Sequence, residues 1–244
     1  MLPIAAAVVV CGTVWEAVAG FAGLPPFILP GPGAVAERLA SVLADGSLLR
    51  HSLFTLGEVL AGMAAGVGAA ALLGYLLSKS RLAEQILAPY IVATQAIPVV
   101  AIAPLLFIWL GSGFASKVLI CALIVFFPVL VNTVIGLRSV SANLRELMRS
   151  LGATRWQNFR HLELPAALPV LLGGLKVGAT LSVIGAVVGE FIAPDRGLGF
   201  LISVARGQYD TALVFVGVFS LVAMALALYG LVAWAENRFL AWRE

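Results

Sequence analysis

Residues 146–165 read ELMRSLGATRWQNFRHLELP, a charged island between two long apolar runs, and the reading of the whole chain turns on it. Asn143 and Glu146 have the spacing of a helix start in which an Asx side chain caps the first turn and a Glu three residues on reaches back. Gly152 then stops that helix by taking a left-handed conformation. Thr154-Arg155-Trp156-Gln157 repeats capping-box spacing, and Pro165, which lacks an amide donor and crowds the preceding turn, is expected to end the second helix. The product is a knob of two short helices. It carries Arg145, Arg149, Arg155, Arg160 and His161 in a chain with 15 Lys plus Arg, and a basic loop between apolar runs belongs on the cytoplasmic side.

Composition sets the solvent. With 61% hydrophobic and 11% charged residues and a mean hydropathy of +1.06, the chain is far from a soluble domain, which carries about 25% charge. The reading is an all-α polytopic membrane protein, a single transmembrane domain over residues 1–244 with about six spans. A formal charge of +3 then points to no nucleic-acid partner, because what matters is where the positive residues fall around each span. Cys11 and Cys121 lie in separate apolar runs without metal or disulfide spacing and read as small buried residues, so no metal site is expected. The run Gly111-Ser112-Gly113-Phe114-Ala115-Ser116-Lys117 lacks the Gly-Lys-Ser/Thr ending of a phosphate loop. No cofactor is expected on this chain, and ATP with its Mg must belong to another.

Residues 3–22 are long enough to cross a hydrocarbon core of roughly 30 Å. Ala17-Val18-Ala19 mimics a signal-cleavage site, but no positive segment precedes the apolar run, so a retained span is the reading. Glu16 within it reads as a satisfied structural carboxylate in preference to a transport group. Residues 24–55, with Pro25, Pro26, Pro30, Pro32 and an Asp45-Gly46 turn, are too mixed to span. They should hold an interfacial helix over residues 33–44, with Val35, Leu39, Val42 and Leu43 on one face. Arg50 and His51 fall in a second short amphipathic piece, where His51 reads as a surface side chain because no second metal ligand is near.

The second span, 56–77, carries Gly62, Gly66, Gly68 and Gly74, a face that allows close helix packing. The third, 86–110, holds Pro89, Pro98 and Pro104, which free backbone carbonyls for neighbours or a wet cavity. With Thr94 and Gln95 at membrane depth it is the candidate path-lining segment, interhelical hydrogen bonding being the equal alternative for the two polar residues. The fourth span is 118–137, and residues 138–167 form the loop that contains the knob. The fifth, 168–192, sets Gly174, Gly178, Ser182, Gly185 and Gly189 in one stripe. Its Lys176 is expected to snorkel or to form a structural ion pair. Asp195 to Gly199 form an outer loop, and Asp210 is placed to cap the sixth span, 211–236.

Several of these stretches together resemble a known family. Glu146, Gly152, Leu162 and Leu164-Pro165 have the spacing of the EAA loop of ABC-importer permeases, with Leu147-Met148 where that family often has Ala-Ala. Residues 97–113, IPVVAIAPLLFIWLGSG, resemble the permeases of the nitrate, sulfonate, taurine and thiamine-precursor group, and the Gly197-Leu198-Gly199 loop and the Arg-rich tail extend the resemblance over about residues 26–243. The resemblance implies a membrane subunit of an ATP-driven importer in a bacterial-type inner membrane. It further implies two copies of the chain among membrane lipid, two ATPase subunits and an extracytoplasmic binding protein. Docking on the ATPase would then fall to Glu146, Gly152, Ala153, Thr154, Arg155, Trp156, Phe159, Leu164 and Pro165, and the path to Thr94, Gln95, Pro98 and Pro104. The Ala93-Thr94-Gln95-Ala96-Ile97-Pro98 variant looks most like members serving thiamine pyrimidine precursors or riboflavin, with sulfonate, taurine or nitrate as the alternative.

Counted with six spans and an inner amino terminus, the inner side holds Lys79, Arg81, Arg138, Arg145, Arg149, Arg155, Arg160, Arg238 and Arg243. The outer side holds Arg38, Arg50, Lys117, Arg196 and Arg206, with Lys176 in the membrane. Nine against five puts the knob and both termini inside. An ion-coupled transporter would show more carboxylates at depth than Glu16 and Glu190, both near span ends. An intramembrane enzyme would need a nucleophile and base, or a metal cluster, in the core, and His51 and His161 lie outside it.

Overall fold

The computed structural model describes residues 2–21 and 25–240, with side chains described at residues 9–20 and 25–240. Residue 22 of the expected first span and Arg243 of the charge count lie outside the described residues. Eleven α-helices follow one another without a strand among the described residues: α1 (Leu2–Phe21), α2 (Pro32–Ala44), α3 (Ser47–Lys79), α4 (Arg81–Gln95), α5 (Val99–Leu110), α6 (Phe114–Arg138), α7 (Ala142–Ser150), α8 (Arg155–Asn158), α9 (Leu164–Ile192), α10 (Leu198–Gly207) and α11 (Thr211–Phe239). A π-helical turn, Phe159–Glu163, joins α8 to α9. Four described helical stretches are long and apolar enough to cross a membrane, or five if the bent pair α4–α5 is one span.

The centre is a three-helix sandwich in which α6 lies between α3 and α9. The small residues picked out by spacing make it. A Cβ at Gly62 would sit 2.2 Å from Cβ of Cys121, and one at Gly66 would sit 2.6 Å from the Ala122 carbonyl oxygen. On the other side, Gly174, Gly178, Gly185 and Gly189 admit Asn132, Val125, Cys121 and Lys117 of α6. Backbones at this distance gain dispersion contacts that larger side chains would prevent. Gly68 departs from the pattern and faces open space.

Outside the sandwich, α11 packs on α9 and on the short helices α2 and α10. Of the face expected on α2, Val35 and Val42 are buried while Leu39 and Leu43 are exposed. The Asp45-Gly46 turn is present, with Gly46 at φ +73° and Asp45 Oδ1 accepting from the Ser47 amide at 2.7 Å. Hydrogen bonds from the Ser47 hydroxyl and amide hold the Asp45 carboxyl below its usual range. The chain then enters α3 directly, so Arg50 and His51 belong to its first turns rather than to a separate amphipathic piece. The glycine-rich outer loop is likewise shorter than its spacing suggests, because Leu198 begins α10. Asp210 caps α11, accepting from the Leu213 amide at 3.0 Å, and its other oxygen pairs with Arg38 at 2.8 Å.

The third span differs most from a simple reading. It is two helices, α4 and α5, bent by 91° at the break between Gln95 and Val99. Pro98 stands at the N-cap of α5, where its missing amide costs nothing, and it biases Ile97 away from helical geometry. Neither Pro89 nor Pro104 ends its helix. No residue of α4 is buried, and α5 buries Ala103 and Leu106 alone.

Candidate functional site

The knob is built as its caps dictate, with two corrections. Gly152 has φ +67°. The Ala153 amide donates to the Met148 carbonyl and the Gly152 amide to the Arg149 carbonyl, each at 3.0 Å, the paired bonds of a Schellman motif. Thr154 and Gln157 close a reciprocal capping box. The cap of α7, however, is Ser141 rather than Asn143: its hydroxyl accepts from the Leu144 amide at 3.4 Å, which shifts the helix start two residues earlier. Pro165 also fails to end the second helix. Helical backbone runs unbroken from Arg155 to Ile192, and the π turn just before the proline shifts the bonding to i−5, with the Leu164 amide donating to the Phe159 carbonyl. The wider turn makes room for the ring where an α-turn would clash.

The knob is tied to the end of α3. Lys79 Nζ contacts the two oxygens of Glu163 at 2.5 and 2.6 Å, and Asn158 Nδ2 donates to Oε1 of the same carboxylate at 2.8 Å. Phe159 meets Tyr75 edge-on at 5.3 Å, and Trp156 lies against Phe159 at 5.8 Å. Arg145 donates to the Leu137 carbonyl at 2.9 Å, and Arg138 pairs with Glu84 of α4. Glu163 is buried and was not singled out by the sequence, since its partner Lys79 is 84 residues away. Glu146, Gly152, Thr154, Arg155 and Leu164 are exposed, whereas Ala153, Phe159 and Pro165 are half-buried. The outer face of the knob is apolar: Leu144, Leu147 and Leu151, at helical spacing, and Trp156 are all exposed on an otherwise charged element.

Of the path candidates, Thr94 alone lines a cavity of about 690 Å³ between α3, α4, α5 and α6. The Thr94 hydroxyl bonds back to the Tyr90 and Ile91 carbonyls at 2.9 Å, and Tyr90 lines the same cavity. Gln95 faces a different cavity of about 200 Å³, between α4 and the ends of α3 and α6. Pro98 and Pro104 are exposed and line neither. The larger cavity has Phe126, Phe127, Leu119 and Leu123 in its wall and no charged side chain.

At the opposite end from the knob lies a polar cluster that the sequence did not reveal. Lys117 is 1% exposed; its Nζ pairs with Asp195 and lies 3.4 Å from Glu58 Oε1. Glu190, fully buried, accepts from the Thr55 hydroxyl at 2.6 Å and from the Gly199 amide. The Leu198 amide donates to Thr55 at 2.8 Å, and the Gly197 amide donates to His51 Nδ1 at 3.1 Å. His51 is therefore a buried side chain holding a loop, not a surface one, and Lys117 is no free outer charge. Gly197 takes φ +101° with Glu190 so close that a Cβ would lie 1.9 Å from Oε1. The partners come from α3, α6, α9, the loop before α10 and the first residues of α10, so no local spacing announces them. Lys176 forms the structural ion pair expected of it, with Glu236 of α11. Among the described residues no group of three or more His, Cys, Asp or Glu is arranged to hold a metal ion.

Comparison with known proteins agrees with this architecture. The family of binding-protein-dependent transport system inner membrane components matches residues 62–240. The chain is 46% identical to the riboflavin transport system permease protein of Chloroflexus aurantiacus, over 93% of this chain and 85% of that one. It is 35% identical to the formylaminopyrimidine transport permease protein of Halalkalibacterium halodurans, over 95% and 92%. It is 33% identical to the taurine transport system permease protein of Escherichia coli, over 88% and 81%. The chain belongs to the inner-membrane component family of binding-protein-dependent transport systems, and is a permease subunit of an ABC importer, not an enzyme.

Proposed function

We propose that the chain works as one of two copies around a central path, with two ATPase subunits against the knobs and a binding protein at the end that holds Lys117 and Glu190. The observation that carries this reading is the exposed apolar face of Leu144, Leu147, Leu151 and Trp156, set on a rigidly capped basic knob. A soluble partner covering that face removes it from water. The knob end is the cytoplasmic end: Lys79, Arg138, Arg145, Arg149, Arg155 and Arg160 all gather there, and loops rich in Lys and Arg stay on the cytoplasmic side. Glu146, Gly152, Ala153, Thr154, Arg155, Trp156, Phe159, Leu164 and Pro165 make or hold the docking element. Movement of the knob reaches α3 through Glu163, Lys79 and the Phe159–Tyr75 contact.

The substrate is a small, uncharged, planar nitrogen heterocycle of the riboflavin or formylaminopyrimidine kind. The cavity beside Thr94 supports this, because aromatic and aliphatic walls with two hydroxyls suit a ring system, and an anionic sulfonate would meet no cation there. The taurine relative keeps sulfonate import as the alternative. Proteoliposomes holding this chain, its ATPase and its binding protein should take up labelled riboflavin or formylaminopyrimidine when ATP is supplied on the knob side. Uptake of taurine with neither heterocycle transported would overturn the substrate assignment, and uptake driven by an ion gradient without ATP would overturn the mechanism.

A further inference from the structure

Between the knob and the end of α3 lies a polar cavity of about 370 Å³, walled by Lys79, Arg145, Arg149, Arg155, Asn158 and Glu163 among others. Four cations face one carboxylate. That carboxylate is engaged, since Glu163 accepts from both Lys79 and Asn158. Among the described residues no carboxylate lies within 4.0 Å of the guanidinium groups of Arg145, Arg149 or Arg155. Arg145 spends one amino group on the Leu137 carbonyl, but its Nε is buried and has no acceptor. With four cations against one engaged carboxylate, and guanidinium groups that cannot lose their protons, the cavity is complementary to a compact oxyanion with several acceptor oxygens. Forked guanidinium donors match a phosphate group better than a carboxylate, which offers fewer oxygens. The place matters as well: Lys79 is the last residue of a membrane-length helix, so the cavity opens at headgroup level.

We propose that this cavity is a phosphate-group site, filled by an anionic phospholipid headgroup or by a soluble phosphate. Its occupant bridges Arg145 and Arg149 of α7 to Lys79 of α3 and so fixes the tilt of the knob against the bundle. Which leaflet supplies the lipid rests on the orientation proposed above; the binding itself does not.

The test uses the whole transporter, permease with its ATPase, purified in neutral detergent. Thermal unfolding is followed while dihexanoyl phosphatidylglycerol, dihexanoyl phosphatidylcholine or inorganic phosphate is titrated at constant ionic strength. A saturable rise in Tm with phosphatidylglycerol but not phosphatidylcholine, absent with inorganic phosphate, assigns the site to lipid. An equal rise with inorganic phosphate assigns it to a soluble phosphate. In either case the rise must vanish in the Arg145→Gln/Arg149→Gln double variant. Should that variant not assemble, Arg149→Gln alone, an exposed side chain, must weaken the probe's half-saturation several-fold and Arg149→Lys must restore part of it. No rise with any probe, or a rise unchanged in the variants, overturns the proposal. So does loss of the ATPase from the double variant when the parent shows no rise, which would give these cations to the subunit contact.

Discussion

The helices of the α3–α6–α9 sandwich and the bent pair α4–α5 taken as one are all long and apolar enough to cross a membrane, yet they have opposite structural characters. In the sandwich, glycines let backbones approach so closely that an added Cβ would overlap its neighbour, and charged groups at one end are buried and paired. In the bent pair, prolines interrupt the chain, the break turns it by 91°, and almost nothing is buried. Hydrophobicity therefore does not separate a close-packed region from a loosely held one in such a chain, whereas residue size and backbone continuity do. A close-packed region has two discrete arrangements or one, while a loosely held pair has room to move.

The largest effect should come from the buried charges that staple the sandwich. Lys117→Met leaves Glu58 buried without a counter-ion, and removing one partner of a buried pair costs about 3–5 kcal/mol. The variant should be nearly absent from membranes by immunoblot, while Arg196→Gln, which is exposed, accumulates normally. Normal accumulation of both would show that the cluster is not what holds α3, α6 and α9 together.

Next comes a pair on one helix. Gly66→Val drives side-chain atoms into the Ala122 backbone and should cost about 1–3 kcal/mol, seen as a lowered Tm in detergent. Gly68→Val, two residues away and facing open space, should leave Tm near the parent. Equal losses would mean that helix propensity, not the α3–α6 contact, governs stability.

A smaller cost in stability with a large one in coupling is expected at the knob. Gly152→Val forces a β-branched residue to positive φ, about 1–2 kcal/mol of local strain. Because a Cβ at Gly152 meets nothing within 4 Å, the bundle should fold, but ATPase co-purification and uptake should fall together. Retention of both would remove the knob from the coupling route.

What was legible in the sequence follows the same division. Small residues at spacings of three and four announced the sandwich, because helical geometry alone puts them on one face. Gly152 and the Thr154–Gln157 box announced the knob, because caps are local. The α8–α9 continuation was not legible: a π turn changes hydrogen-bond register without changing residue type, so Pro165 looked like a stop. Nor was the cluster of Thr55, Glu58, Lys117 and Glu190, whose members meet only after three helices pack. His51 looked like a surface residue because its partner, the Gly197 amide, is 146 positions away. Pro98 marked a break but not its angle, and adjacency of Thr94 and Gln95 did not reveal that the two line different cavities.

The central claim is that the bent pair borders the route and the sandwich carries it. Thr94→Trp places an indole in the cavity beside Tyr90, whose lining includes no knob residue, and Gln95→Trp, in the separate cavity on the same helix, serves as its control. The decisive measurement is substrate uptake into proteoliposomes alongside ATP hydrolysis stimulated by the binding protein. The account predicts that Thr94→Trp abolishes uptake while stimulated hydrolysis continues, and that Gln95→Trp transports at near the parental rate. Uptake by Thr94→Trp at the parental rate, in a fully assembled transporter, would contradict it.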